Sequence, residues 1–329
     1  MSKIAILGAG AWGTALAMTY AEVNHDVCLW SFDASHAAQM RETRENARYL
    51  PSLHLAENIR IEESIVPAAA GAELILIATP VAGLRETLQR LQKNGIAVPV
   101  LWACKGFETG TGLLPHEVVA QVLGEDHPCG ALTGPSFAQE VAQGLPCAIT
   151  LASRDLELAN FWARELHHPR LRLYANDDVI GAETGGAVKN VLAIAAGISD
   201  GLGYGFNARA AIMTRGLAEI ARMAVALGGR RETLMGLAGM GDLILTCTGD
   251  LSRNRRVGLA LAGGQPLAEI LRSLGHVAEG VLTTQVAVRR AESLGVDMPI
   301  TRAVHDVLAG CVSPRSAVEQ LMARNLRPE

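Results

Sequence analysis

Between positions 184 and 199 the chain is small and apolar apart from Lys189 and Asn190. A helix of that composition has to bury most of its surface, and an ammonium carried into it is partly desolvated. Desolvation and cationic neighbours lower a lysine pKa, which lets the group exchange a proton with an alkoxide near neutral pH. A lysine that reaches water along its own stem satisfies the same pattern. Gly185-Gly186, just upstream, leave room for another backbone or a cofactor to approach.

A carboxylate flanked by glycines follows in Gly239-Met240-Gly241-Asp242, and residues 250–256, Asp-Leu-Ser-Arg-Asn-Arg-Arg, open the next helix. Asp242 can orient the lysine or accept from a substrate hydroxyl, or it can simply bond the backbone of its own turn. Arg253, Asn254 and the helix N-terminus form a compact anion site of the size of a phosphate monoester, whereas Arg255 and Arg256 read as a solvated basic face. Two earlier loops, Lys105-Gly106 and Gly134-Pro135-Ser136, each follow an apolar run. Ligands of open α/β sheets bind at such carboxyl ends of strands, although a solvent lysine and a Gly-Pro turn with a serine cap read equally well. A proton-exchanging lysine beside a phosphate-sized site points to the oxidation of a phosphorylated alcohol, provided the chain also binds a redox cofactor.

The elements that would supply that cofactor begin at residue 3. Residues 4–7 read as a strand, Gly8-Ala9-Gly10-Ala11-Trp12-Gly13 is a G-x-G-x-x-G turn, and residues 14–22 continue as a small-residue helix. Gly8 permits the tight turn, Gly10 lets the backbone approach a pyrophosphate, and Gly13 allows close packing of helix on strand. The helix N-terminus then faces the negative charge. A second strand over 26–30 completes the context that the bare motif lacks. Asp33 stands where an acidic residue could grip a ribose 2'-hydroxyl. Ser31, directly after the strand, neither demands a free 2'-hydroxyl nor offers a cation to a 2'-phosphate, so NAD and NADP both remain open.

Further short apolar runs over 74–79, 98–103, 130–133 and 148–151, each followed by a helical pattern, mean a parallel sheet. The unbroken run from Leu74 to Ala78 suits a central strand covered on both faces, and Pro80 ends it. From about Asp178 the pattern turns helical, over 181–199, 208–227, 257–261, 267–274 and 283–294. The fold class that follows is an α/β N-terminal doubly wound, mostly parallel sheet of Rossmann type plus an all-α C-terminal domain. The boundary falls between residues 176 and 186, giving a dinucleotide-binding domain at 1–180 and a substrate domain at 181–329.

With 329 residues and a net charge of −4, the chain has length for two cores and no positive field to hold a nucleic acid. The six cysteines contain no C-x-x-C pair and read as buried, reduced thiols, and the nine histidines form no ligand cluster, so no metal site is expected. Residues 4–12 lack the basic flank of a leader and are interrupted by Gly8 and Gly10. With no run of about 18 uninterrupted apolar residues, no membrane span is expected and the cytoplasm is favoured.

Taken in order, these motifs resemble the bacterial NAD(P)-dependent glycerol-3-phosphate dehydrogenases along essentially the whole chain. The segments that carry the resemblance are 8–17, Lys105-Gly106-Phe107, 134–138 with Glu140-Val141, 185–191, 236–243 and Ser252-Arg253-Asn254. The resemblance implies reversible reduction of dihydroxyacetone phosphate to sn-glycerol 3-phosphate for phospholipid synthesis, with NAD or NADP as cofactor and Lys189 as the proton donor and acceptor. It implies that Lys105, Gly134, Ser136, Lys189, Asp242, Ser252, Arg253 and Asn254 contact the substrate. Besides the glycine turn, Ala11, Trp12, Phe32, Lys105, Ala138, Arg253, Val277 and Glu279 would line the cofactor, the last two from a short Val277-Ala278-Glu279-Gly280 motif.

Two departures bear on that cofactor. Ala11 replaces a serine common in the family's turn, which removes one hydroxyl and leaves backbone N–H groups to hold the pyrophosphate. Phe32 stands where relatives often carry a polar or basic residue, which weighs against a strong NADP preference. The small-residue helices of the second half suit a homodimer. Rival readings are a β-hydroxy-acid dehydrogenase, which would need a carboxylate site where Arg253 stands, and a cofactor-sensing protein without chemistry, for which Lys189 and Asp242 would be dispensable. A short-chain dehydrogenase is disfavoured because no Tyr-x-x-x-Lys occurs.

Overall fold

The computed structural model describes residues 1–274 and 278–324. The chain divides into two compact units: 1–108 with 113–179, and 109–112 with the chain from Ile180 onward.

The first unit contains strands β1 (Lys3–Leu7), β2 (Asp26–Trp30), β3 (Glu45–Asn46), β4 (Leu50–His54), β5 (Ile59–Glu62), β6 (Leu74–Ile77), β7 (Val100–Trp102), β8 (Cys129–Thr133), β9 (Cys147–Ala152) and β10 (Leu171–Asn176). Its helices are α1 (Ala11–Glu22), α2 (Ala34–Thr43), α3 (Ile65–Ala69), α4 (Val81–Lys93), α5 (Pro115–Leu123), α6 (Ala138–Ala142) and α7 (Leu156–Glu165). Eight strands form one sheet in the order β10-β9-β8-β7-β6-β1-β2-β5, while β3 and β4 pair separately. Neighbours in the large sheet run parallel except β8 and β9, so the sheet is mostly parallel and doubly wound.

All four residues of β6 are buried between β1 and β7, as its uninterrupted Leu-Ile-Leu-Ile demands. Ile4, Ile6, Val27, Leu29, Leu74 and Leu76 pack with Leu16 and Tyr20 of α1. Each such aliphatic side chain contributes about 1.5–3 kcal/mol of burial. The strands that the sequence did not reveal are β3, β4 and the two sheet edges, β5 and β10. Edge strands face water along one side, and both alternate: Leu171 and Leu173 are buried while Arg172 and Tyr174 are exposed.

The second unit is helical: α8 (Val179–Gly201), α9 (Gly205–Ala226), α10 (Asp242–Thr248), α11 (Arg253–Ala262), α12 (Leu267–Leu274), α13 (Glu279–Ser293), α14 (Pro299–Leu308) and α15 (Pro314–Met322). A π-helical turn, Leu237–Gly241, runs directly into α10. Sequence patterning missed α10, α14 and α15. The last two open on proline, the residue suited to a first helical position, so a signal was there to read.

Every residue of α8 from 181 to 199 is buried. Among the described residues this helix, 23 residues long, is long and apolar enough to cross a membrane, yet 94% of its most apolar window is buried inside the protein. It is a core helix of the second unit.

The cysteines depart from expectation. Cys28 and Cys247 are buried, but Cys104, Cys129 and Cys147 are half-buried and Cys311 is exposed; none of the six is in a disulfide. Apolar neighbours in sequence did not guarantee a buried side chain, because a turn or a strand end exposes one face whatever its composition.

Candidate active site

The turn after β1 opens at the switch point of the sheet. Leu7 is level with Trp30 of β2 on one side and with Ile77 of β6 on the other, so strand order reverses where the turn begins. Gly8 adopts φ +126°, a conformation suited to glycine. A Cβ on Gly13 would lie 2.0 Å from the carbonyl oxygen of Gly8, whereas a Cβ on Gly10 would meet nothing within 4 Å. The first and last glycines are thus fixed by packing. The middle one faces open space at the mouth of α1, a cradle that fits the close approach of a pyrophosphate to bare backbone.

Ala11 and Trp12, the first residues of α1, pack in one apolar cluster with Ala138, the first residue of α6. Phe32 is 69% exposed at the end of β2, with the Arg90 guanidinium 5.2 Å from its ring centre. Asp33, at the distance where a ribose-binding acid was looked for, caps α2: its Oδ1 accepts from the N–H groups of Ser35 and His36, and its Oδ2 pairs with Arg48 at 3.4 Å. The hydrogen bond from the Ser35 hydroxyl, first among several, holds the Asp33 carboxyl below its ordinary pKa. An N-cap and a ribose ligand look alike in sequence; here the cap occupies one carboxylate oxygen.

A buried polar chain supports the turn from behind. Asn46 donates through Nδ2 to the carbonyl of Ala9 at 2.9 Å and to the Thr14 hydroxyl at 2.7 Å, and its Oδ1 meets Nε2 of His36, whose Nδ1 meets Ser31. Asn46 is fully buried, so these bonds are what make it tolerable there. Sequence reasoning passed over it; an asparagine between a helix and a short strand carries no local signature.

Lys105 and the 134–136 loop follow the neighbouring strands β7 and β8, and the two meet. Lys105 Nζ donates to the carbonyl oxygen of Gly134 at 3.2 Å, and the Ser136 hydroxyl donates to the same oxygen at 3.1 Å.

In the second unit Lys189 is 7% exposed and Asp242 1%. Lys189 Nζ donates to Asp242 Oδ1 and, at 3.0 Å, to the hydroxyl of Thr246, which in turn donates to the Asp242 carbonyl at 2.6 Å. Asp242 follows the π-helical turn directly and opens α10. A buried ammonium is tolerable only when paired and hydrogen-bonded, and this triad does both. Thr246 was not foreseen, although it lies one helical turn beyond Asp242 and so on the same face. A Cβ on Gly185 would meet the carbonyl oxygen of Ala238 at 2.5 Å, so this glycine admits the backbone of the π turn against α8 rather than a cofactor.

Arg253 is the first residue of α11 and is exposed; Ser252 is the N-cap, with its hydroxyl accepting from the N–H of Arg255. Asn254 is buried, and its Oδ1 accepts from the N–H of Gly280 at 3.1 Å, joining α11 to the start of α13, where Glu279 stands half-buried. Val277 lies outside the described residues. Arg255, read as part of a solvated basic face, instead has a side chain only 11% exposed and paired to two carboxylates; Arg256 is exposed as expected. The sequence pattern could not separate the two, because the carboxylate that draws Arg255 inward, Asp200, is 55 positions away. Cys247 is fully buried within reach of the charges of Lys189, Asp200, Arg209 and Arg255, and burial above all pushes its thiol up to about 12.

Residues 3–159 match the family model of the NAD-dependent glycerol-3-phosphate dehydrogenase N-terminus, and residues 178–319 that of its C-terminus. The chain is 60% identical over 327 residues to a glycerol-3-phosphate dehydrogenase (NAD(P)+) of Dechloromonas aromatica, covering 99% of each chain. It is 58% identical to that of Aromatoleum aromaticum, over 99% of this chain and 100% of the other. The crystal structure of glycerol-3-phosphate dehydrogenase from Coxiella burnetii superposes with a TM-score of 0.94 at 43% identity, over 98% and 99% of the two chains.

Proposed function

This chain belongs to the NAD-dependent glycerol-3-phosphate dehydrogenase family, and from that premise we propose that it reversibly reduces dihydroxyacetone phosphate to sn-glycerol 3-phosphate with Lys189 as the proton donor and acceptor. The observation that carries the proposal is the buried Lys189–Asp242–Thr246 triad.

Bound nicotinamide supplies the hydride. As the ketone carbon is reduced, its oxygen takes a proton from Lys189 Nζ; in the oxidative direction the same nitrogen receives the hydroxyl proton. Asp242 and Thr246 fix Nζ, so the proton is delivered from one place. Ser252, Arg253 and Asn254 hold the phosphate, remote from the reacting carbon, where binding energy orients the ketone. Lys105, Gly134 and Ser136 take further substrate contacts. The turn 8–13 with Ala11, Trp12, Phe32, Lys105, Ala138, Arg253 and Glu279 holds the cofactor. We assign residues 1–180 to cofactor binding and 181–329 to the substrate, and extend the reading to a cytoplasmic homodimer feeding glycerophospholipid synthesis.

The test is to follow NADH and NADPH absorbance with dihydroxyacetone phosphate, using the wild type beside Lys189→Ala. Loss of general acid–base assistance should lower kcat by about 100-fold to 10,000-fold. Turnover by the variant at the wild-type rate would remove Lys189 from the chemistry, and absence of turnover by the wild type with either nucleotide would remove the substrate.

A further inference from the structure

Three arginines, Arg253, Arg255 and Arg256, crowd the first turn of α11, the end where a helix dipole disfavours cations. Arg255 is drawn inward. Its Nε donates to Asp200 Oδ2 at 2.9 Å and its Nη1 to Asp250 Oδ1 at 2.9 Å. The Asp200 side chain is 6% exposed and also accepts, through Oδ1, from Arg209 Nε at 2.8 Å. Asp200 sits in the last turn of α8, again the end where a dipole opposes its charge. Neither group is well placed on its own helix; each is satisfied by the other.

The backbones are in contact at the same crossing. A Cβ on Gly197 would lie 2.0 Å from the carbonyl oxygen of Arg255, and one on Gly258 would lie 2.1 Å from that of Ile194. α11 is pressed onto α8 backbone to backbone, and the Asp200–Arg255 pair adds a charged link between the last turn of α8 and the first turn of α11. Successive helical residues point about 100° apart. With Arg255 toward Asp200, Asn254 points toward Gly280 and Arg253 toward solvent.

We propose that Arg255, held by Asp200, is a positioning residue for phosphate binding: it helps hold the first turn of α11, with Ser252, Arg253 and Asn254, in one geometry toward the phosphate, without itself touching the substrate. This rests on the reading that those three residues take the substrate phosphate. A buried ion pair adds little net stability over an apolar replacement, and its best-attested use is to select one packing register among several.

The experiment measures kcat, KM for dihydroxyacetone phosphate, the inhibition constant of inorganic phosphate and the affinity for NADH in wild type, Arg255→Met and Asp200→Asn. A misaimed binding group costs between about 10-fold and 100-fold, so KM and the phosphate inhibition constant should rise together by that factor. Turnover at saturation should stay within about threefold because Lys189 is untouched, and NADH affinity should fall by less than KM rises, because of the three residues only Arg253 is also assigned to the cofactor. Arg255→Lys keeps the charge but not the fork that reaches two carboxylates, and should fall between the wild type and Arg255→Met. If Arg255→Met does not fold, the isosteric Asp200→Asn carries the same expectation. A loss confined to kcat, an equal loss in every parameter including NADH affinity, or no change in KM and phosphate inhibition overturns the positioning role. Absence of turnover in the wild type would instead overturn the function on which it rests.

Discussion

Around the turn 8–13 the residues assigned to the cofactor are glycine, alanine and tryptophan, and what they present is backbone and close packing. Around α8, α10 and α11 the residues assigned to the substrate are lysine, aspartate, serine, arginine and asparagine, held by ion pairs and hydrogen bonds between helices. At Gly8 and Gly13 the first region has no room for added atoms, while Gly10 is open. The second is intolerant of lost charge and draws its partners from positions scattered over more than 60 residues. A site made of backbone is written as a contiguous motif, whereas a site made of side chains is written in fragments whose pairing only the fold reveals.

The largest effect that would sharpen this contrast is expected from Asp242→Asn. The change keeps the shape of the side chain and removes the charge that holds Lys189, and kcat should fall about 100-fold or more, with NADH affinity unchanged. Pre-steady-state hydride transfer and NADH fluorescence titration measure the two separately; a loss of NADH affinity without a loss of rate would break the division between the regions.

Two glycine variants test the other side. Gly13→Ala places a methyl 2.0 Å from the Gly8 carbonyl oxygen, and overpacking of that kind costs about 1–3 kcal/mol, readable as a lower denaturation midpoint together with weaker NADH binding. Gly10→Ala meets no protein atom within 4 Å and has φ −75°, so stability should stay within about 1 kcal/mol. NADH affinity should nevertheless fall roughly tenfold, a change of about 1.4 kcal/mol, if the open space beside Gly10 is where a pyrophosphate rests. Unchanged affinity in Gly10→Ala would show that the turn is glycine-rich for packing alone.

The smallest effect is expected from His127, outside both regions. Burial lowers its pKa, while its hydrogen bond to the Val98 carbonyl opposes the shift. The unfolded chain therefore binds a proton before the native one does, and the contribution of His127 to stability is complete above the ordinary histidine pKa of about 6.5 and lost as pH falls below it. Thermal midpoints of His127→Gln should decline less between pH 7 and pH 5 than those of the wild type, with activity at neutral pH unaltered. A decline as steep as the wild type's would place the acid sensitivity elsewhere.

Much of the fold was legible because its signals are local. The G-x-G-x-x-G turn, the apolar runs of β1 and β6 and the small-residue stretch of α8 each state their structure within about twenty residues. The edge strands β5 and β10 were not legible, since half-solvated alternation over four to six residues resembles a loop. Asp33 was ambiguous because helix capping and ribose binding call for the same residue at the same place.

By itself the sequence determined a dinucleotide-binding half, a helical half, and Lys189, Asp242 and Arg253 as the charged residues most apt for chemistry. Tertiary structure decided which of those charges meet. Thr246 joined Lys189, Asp33 turned to its own helix, and Arg255 left the surface for Asp200. The reason is physical: a backbone motif is satisfied by its immediate neighbours, but a buried charge is satisfied only by an opposite charge, and chain folding alone brings position 200 to position 255.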